Sequence, residues 1–263
     1  MIPRLLLRRG NEMLSRSHQP ALAPPPAIDP ASHSLFVDFD GTLVPLVDHP
    51  ELVRADAELV ELLTTLHRRF AGRVALVSGR SIAQLDQMVG PIAAGIALAG
   101  SHGAEVRRDG RLIEPPRPEG LDGAIADVRL YGAGHPEMII EEKSHGVAMH
   151  YRVAPILEEP VKRRAQAIAE RHGLIVQPGK MMVELRGAGW NKGEAVEALM
   201  AEPPMAGSRP VVIGDDLTDE PALAVAGAMG GFGVLVGPGR ESAALYGLAD
   251  VGSVRRWLWE VAA

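Results

Sequence analysis

The 263-residue sequence predicts an α/β fold in which a core built on a parallel sheet is interrupted by an inserted α+β domain. Short apolar runs without polar alternation, at 35–37, 74–77, 96–99, 211–213 and 232–236, have the length of buried strands. Stretches with apolar residues at helical spacing separate them. Between about 108 and 188 the order changes to a helix, a pair of extended runs, a second helix and a second pair, the pattern of an antiparallel sheet with its own helices. The expected organisation is a flexible tail over residues 1–32, a core in two pieces, 33–107 and 189–263, and an insert over 108–188.

Composition narrows the class. A 46% hydrophobic content supports well-formed cores, and a formal net charge of -6 argues against a nucleic-acid binder, which would carry a basic face. With no cysteine there is no disulfide framework, which suits a reducing cytosol. The leader carries Arg4, Arg8 and Arg9 around LLL and five prolines between residues 20 and 30, the composition of a tail. LLL is too short for a signal peptide, and no apolar run approaches the ~20 residues of a membrane span. The expectation is a cytoplasmic protein with neither membrane nor nucleic acid as partner.

The first strand, within SLFVDFDGTLVPL, stops at Asp38 and Asp40, followed by Gly41 and Thr42. In an open α/β sheet ligands bind beyond the carboxyl ends of the strands, so these acids belong in the crevice where chemistry is possible. A helix over 55–70 and the strand in RVALVSGR complete a β–α–β unit. Ser78, Gly79 and Arg80 end that strand; the Ser78 hydroxyl can reach the same crevice or cap the helix SIAQLDQMV. A third strand, IALAG, runs into GSHGAEV, where His102 and Glu105 sit among glycines that allow close backbone approach.

In the insert, helices are expected over 121–131 and 156–172 and strands at EMIIEEK, GVAMHYR, LIVQP and KMMVELR. Glu141, Lys143 and Arg152 fall on two successive strands. Lys180 and Glu184 share one face of another, because four is an even number of residues. Such a mixed set can hydrogen-bond sugar hydroxyls, or can form cross-strand ion pairs on a wet face.

The chain re-enters the core at WNKGEAV, where Asn191 is placed to cap a helix opened by Lys192. PVVIGDDLTDE follows, a buried strand ending in Asp215, Asp216 and, three residues on, Asp219. Acids at the end of a second parallel strand can approach Asp38 and complete an oxygen-rich magnesium site; Asp219 can also cap the helix PALAVAGAM. Beyond lie a strand at FGVLVG, a loop and short helix in GPGRESAALY and a C-terminal amphipathic helix. Neither a GxGxxG fingerprint nor a lysine-containing P-loop occurs, which argues against a nucleotide cofactor.

DFDGTL resembles the DxDGT signature of the haloacid-dehalogenase-type phosphatases. Ser78, Lys192 and the GDDxTDE run match the remaining three motifs of that superfamily in order. The resemblance implies a Rossmann-like parallel-sheet core under an α+β cap, with Asp38 as nucleophile, Asp40 as general acid and base, Ser78 on the phosphoryl group and Lys192 offsetting charge. It implies Mg2+ held by Asp38, Asp40 and Asp215, with Asp216 and Asp219 behind them. GSHGAE, EEK followed by HYR, and GKMMVELR are similar to segments of the trehalose-6-phosphate phosphatase branch. That similarity makes Thr42, Arg80, His102, Glu105, Glu141, Lys143, Arg152, Lys180 and Glu184 substrate-binding candidates. The implied protein is a monomeric enzyme that hydrolyses trehalose 6-phosphate through an aspartyl-phosphate and associates with a trehalose-6-phosphate synthase. A phosphatase of sucrose 6-phosphate or mannosyl-3-phosphoglycerate on the same fold, or a non-catalytic phosphate-binding subunit, are the alternatives.

Overall fold

A computed structural model of the chain describes residues 22–47, 49 and 52–263. An eight-stranded sheet in the order β12-β11-β10-β1-β2-β3-β4-β5 forms the core. Its strands are β1 (His33–Val37), β2 (Val74–Val77), β3 (Ala97–Gly100), β4 (Glu105–Arg108), β5 (Arg111–Ile113), β10 (Arg209–Gly214), β11 (Phe232–Val236) and β12 (Tyr246–Leu248). Pairing is parallel from β12 through β3 and antiparallel at β3–β4 and β4–β5. The central strands are buried on both faces, which is why their sequences do not alternate. Leu35 and Val37 pack with α1 (Ala57–Arg69), α2 (Ile82–Val89) and α7 (Val251–Ala262), whereas Phe36 packs with α5 (Lys192–Met200) and α6 (Glu220–Ala228). This places helices on both sides of the sheet.

The insert is a four-stranded antiparallel sheet, β6-β7-β9-β8, built from β6 (Ile139–Glu142), β7 (Gly146–His150), β8 (Ile175–Gly179) and β9 (Met182–Arg186). α3 (Leu121–Gly132) and α4 (Glu158–His172) pack with it around Val147, Met149, Val183 and Leu185. Alternation separates the faces: Glu184 lies between Val183 and Leu185 and turns the other way, toward the core.

Four expectations change. Residues 22–32 are not tail: Gly247 N donates to Ala23 O at 2.9 Å, Ile28 is buried in the core, and Arg73 donates to Pro30 O at 2.6 Å. Residues 1–21 of the expected tail lie outside the described residues. The core sheet continues through β5, so the change of sheet comes after Ile113 rather than at 107. No helix forms in GPGRESAALY. There Glu220 accepts from Ala243 N and from Arg240, holding the backbone extended into the edge strand β12. Finally, Lys180 is not on a strand with Glu184; it occupies the two-residue turn between β8 and β9, where Met181 has φ 58°.

Candidate active site

The register of the central strands assembles the site. Val37 of β1 lies opposite Ile213 of β10 and Leu76 of β2, so Asp38, Asp215 and Ser78 emerge close together at the carboxyl edge of the sheet. Asp38 N donates to Ile213 O at 2.9 Å, and Ser78 N to Ala99 O at 2.8 Å. Ser81, not Ser78, caps α2 in a reciprocal box with Gln84, which leaves the Ser78 hydroxyl facing the cleft. Asn191 caps α5 in a second such box with Glu194 and so fixes Lys192 at the first helical position. Lys192 Nζ donates to Asp38 Oδ1 at 2.7 Å and to Asp219 Oδ1 at 2.5 Å. The other Asp219 oxygen accepts from Asp215 N at 3.0 Å and Asp216 N at 2.9 Å, so Asp219 also shapes the loop after β10.

Carboxylate oxygens of Asp38, Asp215 and Asp219 lie within 4.8 Å of one another, and all three residues are buried. Burial, with repulsion from Asp219 and Asp215, pushes Asp38 well above the usual carboxylate range despite Lys192; burial and the neighbouring acids also raise Asp215. Burial alone would lower Lys192, but Asp219 and Asp38 hold it above its ordinary value. A crowded set of oxygen donors with too few cations fits a hard divalent ion such as magnesium.

The insert roofs this floor. Arg80 grips Asp40 with two bonds, Nε to Oδ2 and NH2 to Oδ1, both 2.7 Å, and its third nitrogen lies 3.4 Å from Glu141 on β6. Glu141 also accepts from Gln84 at 2.7 Å and bonds His150 at 2.8 Å. Although burial opposes it, Lys143, His150 and Arg80 hold the Glu141 carboxyl below its usual range. Lys143 Nζ donates to Glu184 Oε2 at 2.5 Å and to Gly79 O at 2.9 Å. His102, at φ 56°, approaches Glu184 to 3.4 Å. Lys180 pairs with Asp215, and Arg152 donates to Val47 O and to Lys180 O. Charged groups from both sheets thus meet in one cleft.

Residues 36–250 match the trehalose-phosphatase family. The chain belongs to this family. Trehalose-6-phosphate phosphatase of Escherichia coli is 38% identical over 233 residues, 87% of this chain and 86% of that one. The Sinorhizobium fredii protein named "Probable trehalose-phosphate phosphatase" is 37% identical over 208 residues, 78% of each chain. A crystal structure of a trehalose-6-phosphate phosphatase related protein, 29% identical, superposes with a TM-score of 0.76, covering 88% of this chain and 97% of that one. The C. albicans trehalose-6-phosphate phosphatase C-terminal domain, 22% identical, shares the fold with a TM-score of 0.78 over 93% of this chain and 99% of that one.

In this trehalose-phosphatase family member, Asp38, Asp40, Ser78, Arg80, His102, Glu141, Lys143, Arg152, Lys180, Lys192, Asp215 and Asp216 all line the cleft. Five candidate residues are placed differently from expectation. The Thr42 hydroxyl is fully buried, with no hydrogen-bond partner among the described residues, and does not line the cleft. Glu105 is buried behind the cleft, among Ile82 N, Ser101, Ser144 and His145. The carboxylates of Asp40 and Asp216 stand apart from the acid cluster, one on Arg80 and the other on Leu217 N. Glu184, buried under Lys143, supports the roof from behind. His150 also lines the cleft and Gln84 holds Glu141 from outside it; nothing local marks either one, since Gln84 lies within the helix SIAQLDQMV and His150 within the strand GVAMHYR, and only Glu141 unites them.

Proposed function

We propose that the chain is a magnesium-dependent phosphatase that hydrolyses trehalose 6-phosphate to trehalose and phosphate, with Asp38 as the nucleophile. The observation that carries this reading is the buried cluster of Asp38, Asp215 and Asp219 around Lys192, beneath a roof of paired acids and bases. A carboxylate approaching a phosphate dianion at about 3.5 Å is repelled by on the order of 9 kcal/mol at an effective dielectric of 20. Lys192 lies against Asp38 and offsets part of this. Magnesium, held by Asp38, Asp215 and Asp219, would supply the remaining positive charge on the phosphate oxygens.

Asp38 attacks phosphorus, forming an aspartyl-phosphate and splitting one difficult displacement into two. Asp40, released by Arg80 from one oxygen so that this oxygen carries a proton, delivers it to the departing sugar oxygen, then takes one from the water that hydrolyses the intermediate. The Ser78 hydroxyl holds a phosphoryl oxygen. Glu141, Lys143, His102, Arg152 and Lys180 offer the sugar hydroxyls a mixed donor and acceptor surface. Glu184 keeps Lys143 charged and aimed: burial would lower the Lys143 ammonium, but Glu184 and Glu141 raise it.

The reading includes a cytoplasmic monomer working beside a trehalose-6-phosphate synthase; among the described residues no helix is long and apolar enough to cross a membrane. The experiment is phosphate release, with and without magnesium, from trehalose 6-phosphate, glucose 6-phosphate and sucrose 6-phosphate at equal concentrations. A large magnesium-dependent preference for trehalose 6-phosphate is expected. Equal turnover of all three would remove the assigned specificity, and no release from any would remove the phosphatase itself.

A further inference from the structure

Glu105 is 3% exposed, lies outside the cleft and is nevertheless a carboxylate. A buried charge of this kind persists only with several donors around it. Glu105 has three, and they come from both bodies of the molecule, with the His145 ring beside them. From the core, Ile82 N at the start of α2 donates to Oε2 at 2.7 Å and Ser101 Oγ to Oε1 at 2.8 Å. From the insert, Ser144 Oγ donates to Oε1 and His145 Nδ1 lies 3.3 Å from the same atom. His145 Nε2 reaches Pro115 O at 3.0 Å, on the segment that leads into the insert.

Ser144 and His145 form the turn between β6 and β7, closed by Lys143 N donating to Gly146 O at 2.9 Å. The residue immediately before them is Lys143, whose ammonium faces the cleft between Glu184 and Gly79 O. A shift of the turn would therefore move the Lys143 backbone. Lifting it from Glu105 would also strip the Ser144 donor and the His145 contact from a buried carboxylate, so the seat is self-enforcing.

We propose that Glu105 is a positioning residue: it docks the β6–β7 turn onto the core and so sets where Lys143 stands over the cleft, governing recognition of the substrate's sugar part and not the phosphoryl transfer. This rests on the function proposed above for its substrate, but its structural half does not.

The test is Ser144→Ala, which removes an insert-side contact and leaves Glu105 with its core partners, beside Ser144→Thr, which keeps the hydroxyl. Two readouts are taken: KM and kcat on trehalose 6-phosphate and on p-nitrophenyl phosphate, and amide hydrogen exchange over residues 139–150 of the unliganded protein. Expected for Ser144→Ala are a roughly tenfold rise in KM for trehalose 6-phosphate, kcat within about twofold, unchanged p-nitrophenyl phosphate turnover and faster exchange in the turn, all reversed in Ser144→Thr. Equal losses on both esters, or unchanged KM together with unchanged exchange, would overturn the proposal. Should Ser144→Ala not fold, Glu105→Gln is read by the same two measurements. If the wild-type protein shows no preference for trehalose 6-phosphate, the functional reading fails while the exchange comparison still decides the docking role.

Discussion

Lys143 and Glu184 form an ion pair at 2.5 Å with side-chain exposures of only 4% and 1%. Both charges are largely withdrawn from water, and each is the other's closest counter-charge. Removing one partner of such a pair typically costs about 3–5 kcal/mol, because the survivor is left buried and unpaired. Lys143→Ala is therefore expected to lower the melting temperature by on the order of 10 °C and to raise KM for trehalose 6-phosphate. Lys143→Met combined with Glu184→Met should lose much less stability than the two single changes added together. Thermal melts of the four proteins check this; simple additivity would mean that the two charges do not act as a pair.

The same pair fixes an acid limit. Burial pushes the Glu184 carboxyl up, but Lys143 and then His102 bring it down to about 2, from an ordinary value of 4.5. A group lowered in the folded state contributes stability that is complete above its unfolded value and is lost as pH falls through its folded one. The difference in melting temperature between wild type and Glu184→Gln is thus expected to be constant near neutrality and to shrink between about pH 4.5 and pH 2. On the alkaline side Lys143, raised in the fold, keeps its contribution through 10.5 and loses it only above that. A difference that instead grew on acidification would reverse the assigned sign.

For the chemistry, Asp38→Asn should fold and yet release no phosphate above background, since the amide cannot form an acyl phosphate. Rapid acid quenching should trap labelled phosphoenzyme in the wild type and none in this variant. Stripping divalent cations with a chelator is expected to abolish turnover, with recovery on adding magnesium, because Lys192 and Lys180 supply two positive charges against the three of Asp38, Asp215 and Asp219. Substantial release by Asp38→Asn in a pure preparation would move the nucleophile elsewhere.

The floor of the site was legible in the sequence because its residues are tied to strand ends. Once LFV and VVI are buried parallel strands, Asp38 and Asp215 have one crevice to enter, and the observed register puts them there. The roof was legible as a set of residues but not as a set of contacts. Arg80 reaches Asp40 across 40 positions and Glu141 across 61, and no local pattern encodes which acid a guanidinium will choose. Lys180 read as a strand residue because the one glycine of GKMM, Gly179, ends β8, and the two turn positions hold Lys180 and Met181 in place of the Asn or Gly that usually marks a tight turn; Met181 adopts the positive φ regardless. Glu105 read as a ligand for the substrate because its two hydroxyl partners, Ser101 and Ser144, lie on different bodies and meet only in the folded protein.

Gly41 is the position where backbone and site chemistry are hardest to separate. Its φ is 85°, in the left-handed region that disfavours side chains, and a Cβ built there would fall 2.3 Å from Asp215 Oδ2 and 2.6 Å from Asp215 Cγ. Relief would require Asp215 to leave the acid cluster or the turn after β1 to open, and the same turn carries Asp40. Gly90, with φ 76° and nothing within 4 Å of its added Cβ, supplies the control: it shares the strain without the collision. Both Gly41→Ala and Gly90→Ala should lose about 1–3 kcal/mol of stability from backbone strain, with the collision adding to the loss in Gly41→Ala. Only Gly41→Ala should lower phosphate release, by roughly tenfold or more, and weaken the response to magnesium, because a displaced Asp215 costs the cation a ligand and every 1.4 kcal/mol lost is a factor of ten. Titrating magnesium into both variants while following phosphate release separates the two effects. Matching magnesium responses in the two proteins would mean that Asp215 can retreat without loss, and the space kept open by Gly41 would then serve the turn alone.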